Sequence, residues 1–206
     1  FLIIKENLSI MYRVSGNFFR TINIDKCDIN EIFFIPPNST LIIGHAYGSP
    51  GDNSDTIQKN IYKLILKNQV NINNIIFSGD VFSKPTKKKW YDLRETIPKE
   101  IKLYITPGNH DIGINSNQKK KIFEKSPFGS QVYPYSFFIN KTHIFLEDSI
   151  SSKWLISSQT KRLINRSNSN YNILIRHNIP ISELKLSANS LEGLESKLPD
   201  IKKLSK

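Results

Sequence analysis

The sequence predicts an α/β fold, and two observations carry that expectation. From residue 40 onward, short apolar runs alternate with segments whose apolar residues recur at helical spacing. Before residue 40 the chain reads as β-rich instead. Strands that alternate with helices bury themselves in a sheet that the helices cover.

The opening strands are expected at Phe1–Ile4, Ile10–Val14, Phe18–Ile24 and Glu31–Ile35, and Pro36-Pro37-Asn38 then break the chain. Residues 1–39 are therefore taken as a β-rich N-terminal segment and 40–206 as the main domain. Thr40–Ile43 reads as a buried strand. Asp55 is placed as a helix cap with Gln58 as its capping-box partner, followed by Ile57, Ile61, Leu64 and Ile65 on one face. Ile75–Ser78 is the next strand, Lys88–Thr96 a helix ended by Pro98, and Lys102–Thr106 a strand stopped by Pro107-Gly108. Ser116 is expected to cap a helix running through Phe123. Tyr135–Ile139 and His143–Glu147 read as paired strands around a turn at Asn140-Lys141. Ser152–Asn165 reads as one helix, Asn172–Arg176 as a strand, and the tail from Ser182 as weakly helical and polar.

Composition narrows the class. The 206 residues are 38% apolar and 11% aromatic, enough for a real core, so wholesale disorder is excluded. No apolar run approaches the ~18 residues of a membrane span. The single Cys27 excludes an internal disulfide framework and a cysteine-built zinc site. No leader is visible before Lys5 and Glu6, which points to the cytoplasm, and a first residue other than Met suggests a fragment or a processed product. The net charge of +11 invites a nucleic-acid partner. However, only 6 of the 29 basic residues are Arg, while Ile (32) and Asn (21) are abundant. That is the signature of an AT-rich genome rather than of an Arg-built phosphate reader, so nucleic acid is not favoured. The lysines at Lys87–Lys89 and Lys119–Lys121 are expected to be exposed.

The chemistry sits at strand ends. Gly44-His45-Ala46-Tyr47-Gly48 follows the first buried strand and Gly79-Asp80 the second. Pro107-Gly108-Asn109-His110-Asp111 follows the third, and His177 a later one. In α/β sheets the C-terminal strand ends form the binding crevice. Imidazole, carboxylate and neutral amide converging there make a ligand set for a divalent ion such as Mn, Fe or Zn. The remaining histidine, His143, lies inside a strand and is read as structural.

These motifs, in this order, resemble those of calcineurin-like metallophosphoesterases. That family carries Gly-Asp-x-His-Gly, Gly-Asp, Gly-Asn-His-(Asp/Glu), a lone His and a closing Gly-His-x-His. Gly79-Asp80, Gly108-Asn109-His110-Asp111 and His177 match residue by residue, with Asn109 lying 29 residues after Asp80 and His177 lying 68 after Asn109. The resemblance covers roughly residues 40 to 180. It implies a four-layer sandwich of two mixed β-sheets flanked by helices, lacking its last strands.

The same resemblance implies two divalent metal ions held by His45, Asp80, Asn109 and His177, with Asp80 bridging. The pair would polarise a phosphoryl group and make a bound water acidic. His110 would face the leaving oxygen as the catalytic residue, with Asp111 orienting it.

Two departures stand out. His45 takes the place of the family's first Asp, and Tyr47 that of its His. Asp52 is a weaker substitute ligand. No histidine follows His177, so the closing motif either lies beyond Lys206 or is lost. The expected function is hydrolysis of a phosphate mono- or diester. The alternatives are an inactive scaffold that binds without turning over, and a nucleic-acid phosphodiesterase whose lysines would line the metal-site rim. Substrate and oligomeric state are not legible.

Overall fold

The computed structural model describes residues 3–5, 9–14, 18–23, 35–48, 55–113, 116–152 and 155–178. The expected strand at Glu31–Ile35 (its last residue excepted), Asp52, residues 153–154 near the start of the helix expected over Ser152–Asn165, and the tail from Ser182 lie outside them.

Among the described residues nine strands form two sheets. The larger contains β1 (Ile3–Lys5), β2 (Ser9–Val14), β3 (Phe18–Asn23), β4 (Ser39–Ile43), β5 (Ile72–Phe77) and β6 (Lys102–Ile105), in the order β3-β2-β1-β4-β5-β6. β1, β2 and β3 pair antiparallel in sequence, while β1 joins β4 in parallel through Ile4 and Ile43. β4, β5 and β6 are parallel, with Ile43 opposite Phe77 and Phe77 opposite Ile105. The crossovers that parallel pairing requires are α1 (Lys59–Lys67) and α2 (Lys87–Thr96). The smaller sheet is β7 (Tyr135–Ile139), β8 (Thr142–Leu146) and β9 (Tyr171–Ile175), antiparallel and then parallel. Between them in sequence lie the short helices α3 (Asn109–Ile112) and α4 (Asn117–Glu124). α5 (Ser149–Ser152) and α6 (Ser158–Asn165) link β8 to β9.

Side chains alternate across a strand, and this sorts the core into two layers. Leu41, Ile43, Ile75, Phe77 and Ile105 face the helices, packing with Ile61, Leu64 and Ile65 of α1, Trp90 and Leu93 of α2, and Phe123 of α4. Ile42 and Ile76, one residue out of phase, face the second sheet with Ile144, Leu146, Ile173 and Ile175. Tyr104 stacks on Phe137 there, with ring centroids 4.0 Å apart. The result is two sheets face to face, flanked by helices. Among the described residues no helix is long and apolar enough to cross a membrane.

Four element expectations change. α1 begins at Lys59 behind Gln58, not behind Asp55. Asp55 is drawn off by Lys89 Nζ at 2.8 Å, and Gln58 turns back to the β4 exit, its N–H donating to the Ala46 carbonyl at 2.8 Å. The helix expected over Ser152–Asn165 is two pieces, because Ser157 caps α6 by accepting the Thr160 N–H at 3.1 Å. The run Asn109–Ile112, expected as part of the motif after a strand and assigned no helix, coils into α3. α2 gains a cap upstream of its expected start, the Thr86 hydroxyl accepting the Lys89 N–H. Of the lysines expected to be exposed, Lys87, Lys88, Lys120 and Lys121 are, while Lys89 and Lys119 are half-buried.

Candidate metal centre

The parallel ladder continues one step past its strands and thereby sets the site. The Ser78 N–H donates to the Ile43 carbonyl at 2.8 Å, the Thr106 N–H to Phe77 at 2.8 Å, and the His45 N–H to Gly79 at 3.2 Å. The exits of β4, β5 and β6 are thus stitched together, and His45, Asp80 and Asn109 stand side by side on one rim. The backbone there is bent into the left-handed region, with φ of 47° at His45, 97° at Gly79 and 54° at Asp80. A non-glycine residue held so costs about 1–3 kcal/mol and survives only where its surroundings impose it.

Asp80 is buried and is the hub. Its Oδ1 accepts the His110 backbone N–H at 3.0 Å. His45 Nε2 stands 3.7 Å from Oδ2, and His177 Nε2 3.6 Å from Oδ1. His177 Nε2 also meets Asn109 Oδ1 at 2.9 Å. One ligand atom each from His45, Asp80 and His177 lie within 4.8 Å of one another.

These atoms suit a divalent ion. The 3.6–3.7 Å His–Asp gaps are long for hydrogen bonds. They are short enough for donors sharing one ion through bonds of ~2.0–2.2 Å. Burial pushes the His177 imidazole below its ordinary pKa, outweighing the upward pull of Asp80, so it is held in the neutral form that binds metal.

Two glycines make this approach feasible. A Cβ on Gly79 would lie 2.5 Å from His177 Nδ1, and one on Gly108 would overlap the Asp80 carboxylate.

His110, the expected catalytic residue, lies at the start of α3 with its Nδ1 3.4 Å from the Ser83 carbonyl. Its ring is 5.5 Å from that of Tyr47, and the His45 ring is 5.9 Å from Tyr47 on the other side. Tyr47, only 1% exposed, fills the corner between them.

Asp111 is placed differently from the expectation that it orients His110. Its carboxylate is fully buried and accepts the N–H groups of Val81 (3.0 Å), Phe82 (3.2 Å) and Gly108 (2.9 Å). It ties the β5 exit to the β6 exit and so holds Asp80 and Asn109 in register. Burial, together with the charge of Asp80, raises its pKa to about 7 against the pull of those three donors. The ring of His110 meets the backbone carbonyl of Ser83 instead, a residue that no motif singled out.

His143 lies away from the site, its Nδ1 2.8 Å from the Ser167 hydroxyl, between Phe138 and Phe145. Gln58, expected as a capping-box partner, instead supports the Ala46-Tyr47 turn, and sequence reasoning missed the Glu147–Arg176 ion pair beside His177. An Arg next to a ligand His was visible; its distant partner was not.

A sequence model of the calcineurin-like phosphoesterase family matches residues 20–199. The chain belongs to that family: its two-sheet α/β sandwich and the metal-competent cluster of His45, Asp80 and His177 at the strand exits define a metallophosphoesterase domain. No curated protein and no solved structure matches the chain.

Proposed function

We propose that the chain hydrolyses phosphate mono- or diesters at a dinuclear centre whose ligands are His45, Asp80, Asn109 and His177. The observation that carries this reading is the convergence of His45, Asp80 and His177 within 4.8 Å. Two divalent cations, Mn, Fe or Zn, would supply Lewis-acid polarisation of the phosphoryl group and an acidic bound water.

The residues divide the remaining work. Asp80 directs one oxygen toward His45 and the other toward His177, so its carboxylate would contribute to holding cations at both poles. Asn109 and His177 form the second pole. His110 has its backbone N–H anchored on Asp80 and its Nδ1 against the Ser83 carbonyl, which can only accept. That leaves Nε2 to give a proton to the leaving oxygen from the imidazolium form. His45 replaces a carboxylate with a neutral donor, so the first pole holds its cation more weakly.

Metal analysis of the purified chain supplied with Mn2+ or Zn2+ tests this reading, combined with p-nitrophenyl phosphate and bis-p-nitrophenyl phosphate assays. Single-stranded DNA and RNA belong in the panel because of the +11 charge. Turnover that disappears with the metal in Asp80→Ala supports the proposal. Stoichiometric metal without turnover on any phosphoester would favour the second reading, an inactive scaffold that binds. Buried Tyr47, at the position of the family's motif histidine, is the observation behind that reading.

A further inference from the structure

His177 differs from the other candidate ligands in what holds it. His45, Asp80 and Asn109 leave adjacent strands of one sheet, and backbone bonds between those exits fix them mutually. His177 leaves β9, in the other sheet. Its ladder with β8 ends at the Leu146–Ile175 pair and one further bond, from the Glu147 N–H to the Ile175 carbonyl at 3.1 Å. Among the described residues β9 pairs with β8 alone. Even so, the His177 ring must cross to Asn109 and Asp80 on the facing sheet.

The residues on either side of His177 are both tied to one short segment, Glu147–Ser149, at the exit of β8. Arg176 Nη1 pairs with Glu147 Oε2 at 3.1 Å, with the two side chains only 4% and 3% exposed. The same Nη1 donates to the Leu155 carbonyl at 2.9 Å. The other oxygen of Glu147 accepts the Ser157 N–H and the Thr160 hydroxyl, each at 2.8 Å. On the far side of His177, the Asn178 N–H donates to the Ser149 hydroxyl at 2.8 Å and its side-chain amide to the Ser149 carbonyl at 3.1 Å. Ser149 is itself buried. Desolvating a charge pair is costly, and hydrogen bonds to its partners, such as those from Ser157 and Thr160 to Glu147 Oε1, offset only part of that cost. Here that cost is borne at a strand exit one residue from the ligand.

We propose that Glu147–Ser149 is a two-point clamp that positions His177 for a divalent transition-metal cation, Glu147 acting through Arg176 and Ser149 through Asn178. The proposal rests on the reading of His177 as a metal ligand. Neither Glu147 nor Ser149 touches the cation; both are positioning residues.

The probe is Co2+, titrated while following its visible absorption, with the urea midpoint of each variant measured in parallel. Glu147→Gln keeps the acceptor for Ser157 and Thr160 but removes the charge facing Arg176. Asn178→Ala removes the side-chain bond of the second point, keeps its backbone N–H on the Ser149 hydroxyl, and leaves the ion pair intact. Each is expected to weaken Co2+ binding about 10-fold, the lower end for loss of a group that orients a ligand. The double variant Glu147→Gln/Arg176→Gln removes both charges. A purely structural pair predicts that stability and affinity recover together, whereas the clamp predicts recovered stability with affinity still weak. Imidazole 15N shifts of metal-free protein give a reading that needs no cation: the His177 signals should move in both single variants while those of His110 stay. Folded variants with parental Co2+ affinity and parental His177 signals would overturn the clamp. If the parent binds no Co2+, the metal reading falls, and the His177 signals alone then decide: moved supports the clamp, unmoved rejects it. If Glu147→Gln does not fold, Asn178→Ala carries the same two readouts.

Discussion

At the level of single residues, the site divides into groups that hold a cation and groups that face a substrate, and substitution should separate them. His110→Ala is expected to leave metal content intact and lower turnover by about 10²–10⁴-fold, the usual loss of a positioned acid–base group. Asp80→Ala should lose metal first and activity with it, because a methyl group cannot replace the carboxylate that both His45 and His177 face. Equal turnover in parent and His110→Ala would reject the catalytic assignment. His45→Asp should retain metal, since Asp restores charge to the first pole and tolerates the left-handed φ of 47° found there. His45→Ala should lower the metal-to-protein ratio; if both variants keep the parental ratio, His45 is not a ligand. Gly79→Ala joins a disfavoured φ of 97° to a Cβ 2.5 Å from the His177 ring. It should lose Co2+ affinity and at least about 1 kcal/mol of stability, read from a metal titration and a urea melt.

At the level of elements, the strand exits do the functional work and the helices keep them in place. α6 shows how. Its cap Ser157 accepts the Thr160 N–H, while its own N–H is given to Glu147. Ser157→Ala should cost about 1 kcal/mol by loss of the cap, seen as a lower urea midpoint. Because the bond to Glu147 comes from the backbone, Co2+ affinity should change far less than in Glu147→Gln; an equal loss would mean that the whole α6 terminus, not the ion pair, holds His177. The β7–β8 pair carries a separate pH dependence. Burial lowers the pKa of His143 below its ordinary value of 6.5. A folded pKa below the unfolded one means the contribution is fully present above pH 6.5 and is lost as pH falls through the lowered value. His143→Phe should therefore show a smaller drop in urea midpoint between pH 7.5 and 5.5 than the parent; an identical drop would refute the assignment.

At the level of the whole molecule, the candidate ligands come from both sheets, so a cation bound there joins the sandwich across its open end. Binding to the folded form alone stabilises by mass action, about 2.7 kcal/mol at a metal concentration 100-fold above Kd. Mn2+ should accordingly raise the melting temperature of the parent and leave that of Asp80→Ala unchanged. A parent whose melting is insensitive to Mn2+, Zn2+ and Co2+ would speak against a metal centre at these strand exits.

The sequence determined those parts of the protein that depend on neighbours in the chain. Apolar runs such as Leu41-Ile42-Ile43 and Ile75-Ile76-Phe77 had to be buried strands, and Ser116 had to cap the helix after it. A Gly-Asn-His-Asp run after a strand end could be read without any fold at all. Tertiary structure decided what depends on partners far along the chain. Asp55 left its expected cap for Lys89, 34 residues on. Asp111 passed over the adjacent His110 for the N–H groups of Val81 and Phe82, about 30 residues back. Arg176 found Glu147, and Asn178 found Ser149, only because β8 and β9 lie parallel and end together. A carboxylate or guanidinium withdrawn from water goes to whatever donors or charges the packed chain brings within about 3 Å. Local pattern fixes which residues are polar at a strand end, and the sheet order fixes which of them meet.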